Sequence, residues 1–298
     1  MNGKEKGFLL LTSQLGDPER KVLTSAQLRS LADRVRSMNR PEADRELVMT
    51  DLIALGYRED MARRILCLLE EEELLAYYLQ RGDKLGCVPL TRVSQGYPQD
   101  LKVCLGAEAP GCLWAKGDLK LLEEPKVALV GSRDILDRNR RFAETVGIQA
   151  ARQGFVLVSG NARGADRAAQ DACLKAGGRV ICVVADQLAK QPVRDRVLYL
   201  SEDHYDSAFS AARALSRNRV IHALGQCVFV AQCGYQTGGT WDGTVKDLRF
   251  HWSPVRCFDD GSAAAALLEQ MGAELVGLEE LADMAGLTAG ERTLFDSV

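Results

Sequence analysis

Three glycine-containing segments hold residue types that can bind an anion. They are Gly131-Ser132-Arg133, Ser159-Gly160-Asn161-Ala162-Arg163-Gly164-Ala165-Asp166, and Cys233-Gly234-Tyr235-Gln236-Thr237-Gly238-Gly239-Thr240-Trp241-Asp242-Gly243-Thr244. Glycine lets the backbone approach a ligand closely. Hydroxyls and guanidinium groups donate hydrogen bonds to phosphate oxygens. A simple turn explains Gly131-Ser132-Arg133 as well as a phosphate contact does. In the second segment a helix follows, so its first N–H groups carry partial positive charge, and Arg163 adds a full one. Asp166 reads as a first-turn carboxylate that stabilises this helix, with a ligand contact as the other role. The third segment, with adjacent glycines and three threonines, suits an oxyanion cradle; a flexible turn is the plainer reading. A fourth element, Arg217-Asn218-Arg219, lies on a helix. Its arginines are either solvated or part of a basic rim with Arg133, Arg138, Arg140, Arg141 and Arg163. No segment follows the G-x-G-x-x-G pattern, so a nicotinamide or flavin dinucleotide is not expected, and no other cofactor is.

These segments can meet only if the elements between them bring them to one edge. Short apolar runs occur at Val127–Val130, Phe155–Val158, Val180–Val184, Val197–Leu200, Val228–Val230 and Val255–Phe258. Helical patterns lie between them at Arg141–Gln153, Ala165–Ala176 and Arg213–Leu224. This alternation predicts an α/β fold with a mostly parallel sheet and helices on both faces. The ligand then sits outside the carboxyl ends of the strands, where all three glycine segments fall. Residues 1–82 read as a small all-helical domain. Ser25 caps a helix through Leu28, Leu31 and Val35. A second runs over Leu47–Leu55, and a third carries Met61, Ile65, Leu68 and Leu69. Gly56 and Gly82 read as helix stops, and the acidic run Glu70–Glu73 as a solvated helix face. Residues 83–125, rich in proline and glycine, read as a connector with short strands such as Cys112–Ala115. Residues 126–277 form the phosphate-binding domain, and 278–298 a short tail without a winged helix.

The bulk composition narrows the partner. Formal net charge is −3, which argues against broad coating of nucleic acid and leaves a confined basic groove. Nine cysteines include no C-x-x-C pair, and none of the three histidines stands beside a cysteine at ligand spacing. No metal site is expected, and buried free thiols in a reducing compartment are. The apolar run Phe8–Leu11 is too short for a signal-peptide core or a membrane span. A cytoplasmic protein with no membrane association follows as the expectation.

Taken in order, these residues resemble the DNA-processing protein A family, also called the Smf family. The resemblance rests on Tyr97-Pro98, Leu101, Pro110, Leu113-Trp114 and Gly117, then the run from Val127 to Arg133, the run from Val158 to Asp166, Gly177-Gly178, and Arg217-Asn218-Arg219. It covers residues 45–277. It implies an extended Rossmann-like domain preceded by a helical one, binding of single-stranded DNA, a RecA-type recombinase as partner in natural transformation, and a homodimer. It places Arg133, Arg163, Arg217 and Arg219 on nucleic-acid phosphates. With single-stranded DNA as the ligand, an aromatic such as Trp241 could also stack on a base. It implies a binding protein and not an enzyme. The sequence departs from the family at Asn161 and Ala165, where leucine and isoleucine are usual, and at Thr237–Thr240, where serine-glycine-serine is usual. The stretch Gly238–Thr244 is similar to the loop of the Lonely Guy-like phosphoribohydrolases, with Asp247 where their glutamate is expected. Two alternatives therefore stand beside single-stranded DNA: a free nucleotide acting as a signal, and a nucleoside monophosphate that is cleaved.

Overall fold

The computed structural model describes residues 1–17, 19–38 and 47–289. Five helices come first: α1 (Gly3–Thr12), α2 (Ser25–Ser37), α3 (Met49–Ala54), α4 (Glu59–Glu70) and α5 (Glu72–Lys84). The first four pack around Leu11, Leu31, Leu52, Ile65 and Leu68, while α5 buries Leu75 and Tyr78 in the core shared with the sheet. The apolar run Phe8–Leu11 is the buried face of α1, a helix the periodicity does not predict because it is short. Thr24, not Ser25, caps α2: its side chain accepts from the Gln27 N–H, and Gln27 returns a bond to the Thr24 N–H. That reciprocal pair satisfies two helix-end donors at once. Gly56 stops α3 with φ of +79°, as expected. Gly82 does not stop α5. It lies inside the helix, where an added Cβ would fall 3.1 Å from the Tyr205 ring and 3.3 Å from Trp114, so its lack of a side chain admits those rings. The acidic run is broken at Glu71, which joins α4 to α5 and accepts from the buried Arg20 guanidinium at 2.5 Å. One member of the expected solvated face is thus an internal partner.

The rest of the chain builds one nine-stranded sheet. Its strands are β1 (Val88–Thr91), β2 (Cys112–Gly117), β3 (Lys126–Val130), β4 (Val156–Ser159), β5 (Arg179–Val183), β6 (Val197–Ser201), β7 (Val228–Val230), β8 (Val255–Phe258) and β9 (Glu274–Val276). The spatial order is β1-β2-β6-β5-β4-β3-β7-β8-β9. From β6 to β9 every neighbouring pair is parallel, while β1 and β2 pair antiparallel beside β6. The short strands expected in the connector therefore extend the sheet itself. The helices among these strands are α6 (Gln99–Leu105), α7 (Asp137–Arg152), α8 (Ala165–Lys175), α9 (Ala211–Ser216), α10 (Asn218–Leu224), α11 (Gly238–Phe250), α12 (Ala263–Gln270) and α13 (Met284–Thr288).

Strand alternation splits the core into two layers. Val127, Leu129 and Leu157 face the side covered by α7 and α8, with Phe142 and Val146. Ala128, Val130, Val156 and Val158 face the other side, with Val220, Ile221 and Leu224 of α10. Helices on both faces are what continuous apolar strands require.

Two expected elements change shape in ways that matter for function. The single helix predicted over Arg213–Leu224 is two, with a corner at Arg217. The loop predicted over Cys233–Thr244 ends early: α11 begins at Gly238, so the Gly238–Thr244 stretch is its first two turns.

Candidate nucleic-acid interface

The sheet reverses its strand order between β3 and β7. From β3 the chain proceeds through β4 and β5 to one side, then returns to β7 and proceeds to the other. Loops leaving adjacent strands at such a point diverge and leave a crevice. Here a cavity of about 550 Å³ opens, lined by Gly131, Ser132 and Arg133 after β3, by Ala162 and Asp166 after β4, and by Thr237, Gly238, Gly239 and Thr240 after β7. Phe209, Leu215, Arg217 and Asn218 close it from the α9–α10 corner. Three loops and an arginine helix thus converge from four separate parts of the chain.

The walls are tied to one another. The Thr240 hydroxyl donates to the Gly131 carbonyl at 3.1 Å, and the Asn218 amide donates to the Gly239 carbonyl at 2.9 Å. Gly131 packs so closely that a Cβ would lie 2.4 Å from the Ala165 side chain. At Gly164 φ is +85°, and a Cβ would lie 2.3 Å from the Ser132 carbonyl oxygen. These glycines let the first and second loops touch, a role that precedes any contact with ligand.

Arg217 is the charge driven inside. It is 7% exposed, its Nε has no hydrogen-bond partner, and no carboxylate pairs with it among the described residues. It stands at the corner between α9 and α10, which points its guanidinium over Gly160; a Cβ at Gly160 would fall 1.7 Å from Nη1. Gly160 is therefore the seat of the arginine. Burial weakens the hold of Arg217 on its proton, and the nearby Asp166 strengthens it. Asp166 is the reciprocal case: burial pushes its carboxyl above the ordinary range, while Arg217 pulls it down. Asp166 also accepts from the Ala162 N–H at 3.2 Å, which pins the second loop, and it faces the cavity.

Two helices start at this cavity without a side-chain cap: α8 after Gly164 and α11 after Thr237. At α8 the Ala165 and Arg167 N–H groups already bond the Ser132 and Ala162 carbonyls, so that end contributes its partial positive charge, while the first N–H groups of α11 have no intrahelical acceptor. A buried guanidinium beside two such helix starts favours an anion.

The expected site residues divide into three groups. Gly131, Ser132, Arg133, Arg217, Asn218, Thr237, Gly238, Gly239 and Thr240 line the cavity, and Gly160 stands behind Arg217. Arg163 and Gly164 lie outside it, on a second cavity of about 530 Å³ shared with Arg133, Asp134, Leu136 and Arg140. There Arg163 pairs with Asp134 at 2.7 Å. Ser159 and Arg219 reach neither cavity. The Ser159 hydroxyl is fully buried and accepts from Gln170 at 2.5 Å. The Arg219 guanidinium bonds to Glu202 at 2.8 Å and to the carbonyls of Glu108 and Ser216. Arg217 and Arg219 are two residues apart, about 200° around a helix, so one turns inward and the other reaches Glu202.

The aromatics are also redistributed. Trp241 is 8% exposed and belongs to the core beneath α11, so no base stacks on it. Phe209 is 57% exposed and forms part of the cavity wall. Tyr235 is 55% exposed between Gly234 and Thr237, both of which line the cavity. Phe209 went unnoticed because it precedes α9 in an irregular stretch; its available signal was an apolar aromatic next to the capping Ser210. Asp247 does not reach the cavity. It is fully buried, 2.7 Å from His222 Nδ1, and its other oxygen accepts from the Ser253 N–H at 2.8 Å. Cys233, another wall residue, has its thiol pushed up to about 11 by burial.

An open parallel sheet with its cavity at the reversal of strand order, walled by helix starts, defines a Rossmann-like α/β protein. Residues 89–285 match the family model of DNA recombination-mediator protein A, and the chain belongs to that family. It is 34% identical over 193 residues to the DNA processing protein DprA of Streptococcus pneumoniae, covering 60% of this chain and 67% of that one. The X-ray structure of DNA processing protein A from the same organism superposes with a TM-score of 0.67 at 26% identity, over 88% of this chain and 98% of that one. A structure of DNA processing protein A from Helicobacter pylori, solved for its single-stranded DNA binding mode, superposes with a TM-score of 0.56 at 22% identity, over 67% of this chain and 95% of that one.

Proposed function

We propose that this protein binds single-stranded DNA during recombination, holding a backbone phosphate in the cavity at the β3–β7 reversal. The observation that carries the reading is Arg217. A guanidinium buried without an ion pair costs several kcal/mol, and an anion in the adjoining cavity offsets that cost. Arg133 adds a charge at the rim, the start of α11 adds N–H donors, and the start of α8 adds its dipole. The mild negative charge of the whole chain fits a confined site better than broad coating.

Titration of labelled single-stranded DNA at several salt concentrations tests this. Affinity falls as salt rises, because binding releases counterions. Arg217→Ala weakens binding by roughly 10-fold or more, the worth of a charge-assisted hydrogen bond. Undetectable binding by the unaltered protein at low salt would overturn the reading. The reading is of a binding protein: Asp247, the carboxylate best placed in sequence for N-glycosidic cleavage, is buried away from the cavity with His222 and Ser253. Incubation with AMP then releases no adenine. The family resemblance brings a homodimer and a RecA-type recombinase partner into the same proposal; light scattering of the purified protein tests the dimer.

The cavity volume supports a second reading, a free nucleotide as a signal. About 550 Å³ lies within the range of small-molecule sites. Thermal-shift screening with nucleotides separates the two, since a ligand that binds only the native state raises the melting temperature.

A further inference from the structure

The second cavity, beside the start of α7, is basic in an unusual way. Arg133, Arg140 and Arg163 line it, with Asp134 as its one carboxylate. Asp134 is committed to Arg163, and both side chains of that pair are largely exposed, so it adds little. Among the described residues, Arg133 and Arg140 have no ion pair, nor do Arg138 and Arg141 in the same first turns of α7. Most arginines elsewhere are tied down: Arg20 to Glu71, Arg179 to Glu124, Arg219 to Glu202, Arg256 to Glu274. Free guanidinium groups concentrated on one rim in a chain of net charge −3 repel one another unless an anion lies among them. Arg133 lines both cavities. An anion in one is therefore linked to an anion in the other through a single side chain.

We infer that the cavity lined by Arg133, Arg140 and Arg163 is a second phosphate subsite, occupied by a neighbouring phosphate of the strand whose first phosphate meets Arg217. This rests on the single-stranded DNA reading and extends it. The ligand is a run of consecutive phosphodiesters, and Arg133 bridges two of them. A mononucleotide fills the inner cavity only. Affinity then rises with strand length until both cavities are filled. The outer subsite supplies much of the salt dependence, because its guanidinium groups are exposed and release counterions.

The experiment compares thymidine 5′-monophosphate, which carries a single phosphate, with an oligothymidylate of about ten nucleotides, a length within the usual span of single-strand sites. Both are titrated against the full chain, Arg140→Ala and Arg140→Glu. Arg140 is exposed, so both variants fold. The expected result is that Arg140→Ala weakens binding of the longer strand several-fold and lowers its salt slope by about one. Mononucleotide binding stays within twofold of the unaltered protein, and Arg140→Glu widens the loss on the longer strand. If both variants bind the longer strand like the unaltered protein while Arg217→Ala does not, the second subsite is overturned and the first stands. If the unaltered protein binds neither the mononucleotide nor the longer strand, the parent reading fails, and this inference with it.

Discussion

Each charged or aromatic side chain near the cavity acquires its role from burial, and residue type alone does not assign it. Trp241 and Phe209 make the contrast testable. Phe209→Ala should leave the fold intact and weaken single-stranded DNA by about 1–3 kcal/mol, the worth of one stacked base. Trp241→Ala, in the core, should instead lower stability by about 3–5 kcal/mol. Denaturant melts alongside DNA titration tell them apart. Asp134 offers a gain of affinity. It occupies Arg163 at 2.7 Å, and an exposed pair of this kind holds roughly 0.2–1 kcal/mol. Asp134→Asn therefore frees the guanidinium and removes a repelling charge, so affinity for single-stranded DNA should rise about two- to fivefold at low salt. A titration showing equal or weaker binding would contradict this. The glycines and hydroxyls were legible as anion-binding types. Which arginine turns inward was not, because Arg217 and Arg219 share a local pattern and differ only in what the fold puts opposite each.

Among the elements, the corner between α9 and α10 does most to shape the site. The junction falls at Arg217 itself, whose backbone is helical (φ −66°, ψ −15°) and whose side chain makes no cap bond, which leaves the guanidinium to lie over Gly160. The start of α11 is the second decisive element. Read as a flexible loop, Gly238–Thr240 would lose entropy on binding; as a helix start it presents fixed donors at no such cost. Gly164 joins the second loop to the first, and its φ of +85° and the 2.3 Å that would separate an added Cβ from the Ser132 carbonyl oxygen leave no room for a side chain. Gly164→Ala should destabilise the domain by roughly 1–3 kcal/mol, through both strain and overpacking. A melting curve unchanged in midpoint would show that the loops part without cost. The strands were the easiest elements to read, since parallel strands buried on both faces are apolar runs whatever lies around them.

At the scale of the molecule, the helical segment is fastened to the sheet by polar and aromatic contacts. Tyr78 stacks on Tyr205 at 4.6 Å and meets Trp114 edge-on, and its hydroxyl donates to Asp206 at 2.9 Å. His204 Nε2 accepts from the Gln14 N–H, and its Nδ1 lies 3.3 Å from the Ser13 hydroxyl. Burial holds His204 below its usual range, against the opposing pull of Asp206 and Asp203. The folded state therefore takes up this proton less readily than the unfolded chain. Its contribution to stability is complete above the ordinary value of 6.5 and is lost as pH falls through the lower folded value. The melting temperature should drop between about pH 7.5 and about pH 5.5, and His204→Gln should flatten that slope. An identical pH profile in the variant would remove His204 from the joint.

The sequence by itself determined the α/β class, the order of strands and helices, and the placing of three glycine segments at strand ends. These depend on local periodicity and on backbone freedom, which neighbouring residues carry. Only the tertiary structure decided that β3 and β7 lie side by side and open the cavity. It also buried Arg217, spent Arg219 on Glu202, withdrew Trp241 and Asp247 into the core, and exposed Phe209 at the wall. Those outcomes depend on which distant segments exclude water from a side chain, and a linear pattern holds no record of that exclusion.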